Sequence, residues 1–319
     1  MITGEKTHHV ILTTVVAALF VCTPAVAANT HFRQQRDPLC SYEAPMGATV
    51  DTEGNVTKDG KTITHYDFSN CKLSNSGAGT GGWYEQVGAN AISEPGGLKQ
   101  FNAYEGNFTV PPAPADPSND KSILYLFPGL ENWNAGFTQV FSILQTMLIW
   151  GNNTDANTGE WWTMEGEFNW GPNIHGHGVR VSPGDKIGWA IWQTQINPDI
   201  WEIWMGDVTS GGSYAFFAQP ASSWPKYNNI YLGVLEAYGD TYEQTGLNSC
   251  TELPPGDGEM FYGTSEISEA GPYWNSFNDV RTSLSWGGSP YPNGDGKPPS
   301  CSYQAWAASS DSAFLGWVP

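Results

Sequence analysis

Positive charge is scarce in this 319-residue chain. It has 13 Lys and Arg against 32 Asp and Glu, which gives a formal net charge of −19 with His neutral. A protein that binds nucleic acid through its phosphates needs basic side chains to displace the counterions. The composition therefore argues against a nucleic-acid partner.

The sequence also lacks the features of a helical or a disordered protein. After the N-terminus no stretch repeats apolar residues at intervals of three and four over eleven positions, and 37 Gly and 22 Pro interrupt the chain throughout. Only 14% of the residues are charged, whereas 13% are aromatic, and rings in that number can bury enough area to offset the entropy of ordering. We predict a folded, all-β protein.

The N-terminal 27 residues are typical of a secretory signal. Lys6 precedes an apolar run from Val10 to Val21, and Ala25-Val26-Ala27 offers small residues for cleavage after Ala27. The apolar run is too short to span a bilayer, so we expect no membrane partner and a secreted or periplasmic location.

Four cysteines follow the predicted cleavage point: Cys40, Cys71, Cys250 and Cys301. An even number in an exported protein favours disulfides, and four cysteines allow three pairings. We favour Cys40 with Cys71 and Cys250 with Cys301, because each bond would close a moderate loop near one end of the chain.

The spacing of strand-like segments predicts a two-sheet antiparallel β-sandwich or jelly roll. Such segments arrive at short intervals between Ser122 and Asp240, and several, including 143–150, are apolar on both faces. We divide the chain into a signal peptide at 1–27, an N-terminal extension with hairpins and a Pro-rich arm at 28–120, a β-sandwich core at 121–240, and a disulfide-tied C-terminal extension of the same domain at 241–319.

Two polar side chains interrupt apolar strands. Gln145 stands in the middle of 143–150, and Glu236 stands in 230–238. A buried amide must find hydrogen-bond partners, and a carboxylate in apolar surroundings suits general acid–base chemistry, although both also occur as structural groups.

These residues belong to an ordered series of short motifs, namely Ile143-Leu144-Gln145-Thr146, Glu165-Gly166-Glu167, Val181-Ser182-Pro183-Gly184-Asp185-Lys186-Ile187, Asp207-Val208-Thr209-Ser210-Gly211 and Glu236. The series resembles the eqolisin, or glutamic peptidase, family, in which an ILQTG-type strand carries a catalytic Gln and a later strand carries a catalytic Glu. Met147 here replaces the Gly of that motif, and the Gln–Glu separation is 91 residues (236 − 145).

The resemblance implies a sandwich of concanavalin A-like form and a secreted, acid-acting endopeptidase with no cofactor and no metal. Glu236 would take a proton from the attacking water, and Gln145 would donate an N–H to the oxyanion. We assign Glu165, Glu167, Trp162 and Met147 to substrate binding, and we expect a monomer acting on polypeptides.

Three other interpretations stay open. Tryptophans at 161, 162, 170, 189, 192, 201 and 204 could bind a glycan in a non-catalytic, lectin-like protein. Glu165 and Glu167, with Glu236, could serve a glycoside hydrolase. His175 and His177 could hold a metal, but no third ligand follows at a motif spacing, so we favour a Gly-rich loop with incidental His.

Overall fold

The structure is a computed structural model. It describes residues 40–69, 71, 82–90, 100–115, 123–134, 139–151, 161–238, 247, 249–255, 259–262, 287–290, 301–309 and 312–318. The predicted signal peptide lies outside these residues. Within them, no helix is long and apolar enough to cross a membrane.

Two large sheets form the body of the protein. Sheet A has nine strands, in the spatial order β1 (Ser41–Glu43), β10 (Asn173–His175), β9 (Trp162–Asn169), β8 (Val140–Trp150), β7 (Ile123–Trp133), β15 (Asn229–Tyr238), β5 (Gly82–Asn90) and β17 (Gly287–Pro290), with β11 (Val179–Val181) also paired to β9. Sheet B has seven, in the order β4 (Lys61–His65), β3 (Asn55–Lys58), β2 (Thr49–Asp51), β14 (Ser213–Gln219), β13 (Ile200–Asp207), β12 (Lys186–Gln195) and β6 (Ala103–Thr109).

A third, three-stranded sheet is built from the C-terminal part of the chain. Its order is β16 (Glu259–Tyr262), β19 (Ser312–Val318) and β18 (Ser302–Ser309). A short 3-10 helix at Cys250–Glu252 begins with a capping box in which the side chains of Ser249 and Glu252 each accept from the other's main-chain N–H.

The predicted two-sheet β-sandwich is confirmed, and the two sheets are mixed. Strand β1 pairs with β10 in parallel, and β2 pairs with β14 in parallel, whereas the other described pairs are antiparallel. Both parallel pairs join the N-terminal region to strands more than 100 residues later, and a connection of that length permits either direction. Strands from 28–120 therefore complete both sheets.

The core lies between the sheets and follows the alternation of the strands. Trp189 and Ile191 of β12 face inward together with Trp201 and Ile203 of β13. Sheet A contributes every second residue of β7, β8 and β9, among them Leu126, Leu144 and Phe168. Most of the tryptophans that could have formed a binding surface are therefore core residues: Trp162, Trp170, Trp189 and Trp201.

Sheet A is buried on its other face as well, which we call the outer face of sheet A. A second apolar cluster lies there, formed by Ile123, Tyr125, Phe127, Ile143, Met147, Ile149, Tyr231 and Val234. The apolar run of β8 predicts this burial on both faces.

The structure joins Cys40 to Cys71 and Cys250 to Cys301. This is the pairing that loop length favours.

Candidate functional site

Gln145 lies on the outer face of sheet A, at the centre of the sheet. Its neighbour Leu144 belongs to the core, so alternation turns the Gln145 side chain away from sheet B. The register places Gln145 opposite Gly129 on one side and Glu167 on the other, and Glu167 is opposite His175. Strand pairing thus brings an amide, a carboxylate and an imidazole into one row.

Gln145 and Glu167 are directly hydrogen-bonded. The Gln145 Nε2 donates to Glu167 Oε1 at 3.1 Å, and Asn169 Nδ2 donates to the same oxygen at 3.1 Å. Gln145 and Glu167 have no exposed surface, and Gln145 Oε1 has no hydrogen-bond partner among the described residues. The pair combines a carboxylate acceptor with an amide that keeps a second N–H.

Glu165 stands two residues before Glu167, on the same face, and is opposite Met147. Its Oε1 is 3.5 Å from Nδ1 of His175, which is 2.9 Å from the carbonyl oxygen of Gly176. Both neighbours of this nitrogen are acceptors, so Nδ1 carries a hydrogen. The carboxylate and the main chain together orient a buried imidazole beside Glu167.

A third carboxylate, Glu131 of β7, lies beyond Gly129 and was not singled out from the sequence. Its Oε2 accepts from Tyr231 Oη at 2.7 Å, from Trp133 Nε1 at 2.6 Å and from Asn229 Nδ2 at 3.4 Å. The signal that could have found it is the one that marks Glu236, a carboxylate that interrupts an apolar strand.

Gly129 lies between the row that contains Gln145 and the hydrogen-bonded group around Glu131. A Cβ built there would lie 3.0 Å from the Leu144 carbonyl oxygen and 3.4 Å from the Gln145 Cβ. The absence of a side chain leaves room on the outer face between Gln145 and Tyr231, the residues opposite Gly129 on its two sides.

Glu236 shares the outer face with Gln145 but stands at another level of the sheet. It is opposite Tyr125, which is opposite Ile149, four positions along β8 from Gln145 (149 − 145). At about 3.3 Å per residue and about 4.8 Å per strand, the two Cα atoms are about 16 Å apart. The register therefore does not bring Gln145 and Glu236 together, and the carboxylate that meets Gln145 is Glu167.

The predicted substrate-binding residues divide between the two faces. Glu165, Glu167 and Met147 lie on the outer face with Gln145. Trp162 is fully buried in the core between the sheets, because it is separated from Glu165 by an odd number of positions. It cannot contact a ligand bound over Gln145.

The two histidines are held by different carboxylates. His177 is largely exposed, and its Nδ1 lies 3.2 Å from Glu43 Oε1, whereas His175 is paired with Glu165. The Tyr214 ring lies beside His177. Burial, and to a smaller extent the Glu43 carboxylate, raises the pKa of Tyr214 to about 12. Across the part of the chain that the structure describes, no three His, Cys, Asp or Glu side chains are grouped as metal ligands.

Comparison with known proteins finds similarity only at the level of structure. No family model and no curated protein sequence matches the chain. The fold is similar to scytalido-glutamic peptidase with a transition state analog inhibitor, at 13% identity and a TM-score of 0.45 over 75% of this chain and 98% of that one. SCP-B, a member of the eqolisin family in complex with the tripeptide Ala-Ile-His, gives the same values. Aspergilloglutamic peptidase from Aspergillus niger is similar at 14% identity and a TM-score of 0.32, over 61% of this chain and 99% of that one.

Proposed function

We propose that the protein is a hydrolase of the glutamic-peptidase type, in which Gln145 and Glu167 form the reacting pair. The observation that carries this proposal is the 3.1 Å hydrogen bond between Gln145 Nε2 and Glu167 Oε1 on the outer face of sheet A. It joins an amide donor, which borders the space over Gly129, to a carboxylate acceptor on the other side of Gln145, on strand β9.

Each side chain has the capacity that its role requires. The Glu167 carboxylate accepts a proton from the water that attacks the peptide carbonyl. The second N–H of Gln145 donates to the oxygen that becomes negative in the tetrahedral intermediate. Collapse of that intermediate breaks the C–N bond, and the proton held by Glu167 passes to the leaving amine.

The surrounding residues support the pair. Asn169 donates to the same Glu167 oxygen and fixes its orientation. His175, on the strand beyond Glu167 and paired with Glu165, provides a second proton-carrying group close to Glu167. Met147, opposite Glu165, provides apolar contact for a substrate side chain.

The site is closed to solvent in this structure, since Gln145, Glu165 and Glu167 are each at most 1% exposed. A polypeptide can reach the row only after residues that cover it move. We therefore expect a latent enzyme, exported through its signal peptide and activated by acid or by removal of a segment.

The experiment measures cleavage of a reduced, alkylated protein substrate between pH 2 and pH 7, before and after acid treatment. It compares the parent with Gln145→Ala, Glu167→Gln and Glu236→Gln, of which the last two form a matched pair of isosteric changes at fully buried carboxylates. Circular dichroism serves as the control that each variant is folded.

We expect acid cleavage by the parent and a loss of about 100-fold or more in Gln145→Ala and Glu167→Gln. Glu236→Gln should keep most of the activity. Loss in Gln145→Ala and Glu236→Gln, with Glu167→Gln still active, would overturn the Gln145–Glu167 pair in favour of the pair that the sequence resemblance implies. Absence of cleavage by the activated parent at every pH would overturn the peptidase proposal.

A glycoside hydrolase is the second candidate, because Glu165 and Glu167 are two buried carboxylates on one face of one strand. Their Cα atoms are about 6.6 Å apart along the strand, which is compatible with the carboxyl separations of that chemistry. Release of reducing sugar from polysaccharides by the parent, lost both in Glu167→Gln and in a Glu165→Gln variant, would identify it.

A further inference from the structure

The outer face of sheet B, which points away from the Gln145 row, carries aromatic rings and carboxylates. Trp192 of β12, Trp204 of β13 and Phe217 of β14 are each partly exposed there. They alternate with the inward-facing Ile191 and Ile203, so the period of two that builds the core also directs these rings outward.

The Trp204 indole lies flat against the sheet. A Cβ built on Gly206 would be 2.6 Å from its Cζ2 and 2.9 Å from its Cη2, and one built on Gly188 would be 3.3 Å from its Cζ3. Gly206 and Gly188 are opposite each other on β13 and β12. Two paired glycines thus form a recess for the ring, and the other side of the indole faces outward.

Two acidic side chains accompany the rings. Glu105 of β6 accepts a hydrogen bond from Trp192 Nε1 at 3.1 Å, which fixes the edge of that indole. Glu202 stands between Trp192 and Phe217 in the register. It is partly buried, and this burial raises the pKa of its carboxyl group. We call these five residues, Trp192, Trp204, Phe217, Glu105 and Glu202, the aromatic platform.

We propose that the aromatic platform binds a neutral, extended glycan chain. The C–H face of a pyranose ring packs on a flat indole, and sugar hydroxyls donate to carboxylates. Trp192 and Trp204 are diagonal neighbours on adjacent strands, with Cα atoms about 8 Å apart, so two rings of one extended chain can be contacted together.

Charge decides between this ligand and other occupants. The chain carries a net charge of −19, and the platform itself holds Glu105 and Glu202. Acidic polymers and a second copy of this chain would bring like charges against these carboxylates, whereas a neutral glycan brings only hydroxyl donors. The platform is independent of the Gln145 site, since the sandwich separates them.

The experiment titrates the full-length exported protein with cellohexaose, whose β-1,4 linkage keeps the chain flat, and with maltohexaose, whose α-1,4 linkage coils it. Binding is followed by tryptophan fluorescence and by isothermal titration calorimetry. The variants are Trp204→Ala, Trp204→Phe and Gly206→Val, and the matched control is Trp306→Ala, which changes an indole that is 43% exposed on β18.

We expect saturable binding of cellohexaose, weaker binding of maltohexaose, and a loss of about tenfold or more in affinity in Trp204→Ala. Gly206→Val should weaken binding similarly by lifting the indole, Trp204→Phe should retain part of the affinity, and Trp306→Ala should match the parent. No binding of either hexasaccharide by the parent, equal binding by Trp204→Ala, or a dimer in sedimentation that Trp204→Ala abolishes would each overturn the proposal.

Discussion

Gly166 lies directly beneath the two carboxylates of β9 and lets the two sheets approach. A Cβ built on it would be 2.6 Å from Ile203 Cγ2 and 3.5 Å from Phe216 Cε1, whereas ordinary contacts of this kind begin at 3.4 Å. Phe216 and Ile203 are both fully packed in the core. Gly166→Ala therefore adds one methyl group where there is no space for it.

The magnitude is a balance of two effects. Overpacking of a core by one methyl group costs about 1–3 kcal/mol, because neighbours must leave their preferred rotamers. Alanine also restricts the unfolded chain, which returns up to about 1 kcal/mol. We expect Gly166→Ala to lower the free energy of unfolding by about 1–2 kcal/mol and the midpoint of thermal unfolding by about 2–6 °C.

Thermal unfolding followed by circular dichroism, with urea unfolding as a second measure, tests this expectation. The control is Ile203→Ala, which by itself should cost about 2–5 kcal/mol through the cavity it leaves. It also removes the Cγ2 atom that the new methyl group meets, so the double variant should lose about 1–2 kcal/mol less than the sum of the single variants. A Gly166→Ala protein as stable as the parent, or strict additivity in the double variant, would refute the close approach of the sheets at this glycine.

Two further predictions concern buried carboxylates. Asp207 is the last residue of β13. Although burial opposes its ionisation, hydrogen bonds from the side chain and main chain of Ser210 and from Thr209 lower its pKa. The ionised Asp207 therefore stabilises the fold above the unfolded-state pKa of about 3.9, and this stabilisation is lost as the pH falls through the folded-state pKa. We expect Asp207→Asn to be less stable than the parent by about 1 kcal/mol at pH 7 in urea unfolding, and this difference should shrink below about pH 4. A difference that grows on acidification would contradict this expectation. Tyr231→Phe removes a hydrogen-bond donor to the fully buried Glu131 and should cost about 1–3 kcal/mol in the same assay, whereas an unchanged midpoint would show that the hydroxyl contributes nothing.

The fold class followed from local features of the sequence. Frequent Gly and Pro, and alternation such as Trp189 with Ile191, predict short strands with one inward face, and the structure has both. Side chains of one strand alternate because of the pleat, whatever the strand pairs with, so the prediction needed no knowledge of the partners. The direction of pairing did need it, and two of the pairs are parallel.

Some residues of the candidate site could also be predicted from the sequence. Gln145, Glu165 and Glu167 interrupt apolar strands and do lie on one buried face. Glu131 has the same signature, but its hydrogen-bond partner Tyr231 lies 100 positions later in the chain, so the sequence alone does not assign it to the site. Trp162 was predicted to bind substrate with Glu165 and Glu167, but it is an odd number of positions from them on the same strand, so its side chain points into the core.

The partner of Gln145 was decided by tertiary structure alone. The sequence shows that Gln145 and Glu236 are polar residues within apolar strands, but it does not determine the register in which β15 pairs with β7. A bulge between Tyr231 and Val234 adds one residue on β15, so that both of these side chains, and Glu236 after them, face outward. The same pairing sets Glu236 four positions beyond Gln145 and leaves Glu167 as the adjacent carboxylate. Alternation is a property of each strand by itself, whereas register arises from hydrogen bonds between strands that are distant in the chain, and only the folded sheet contains those bonds.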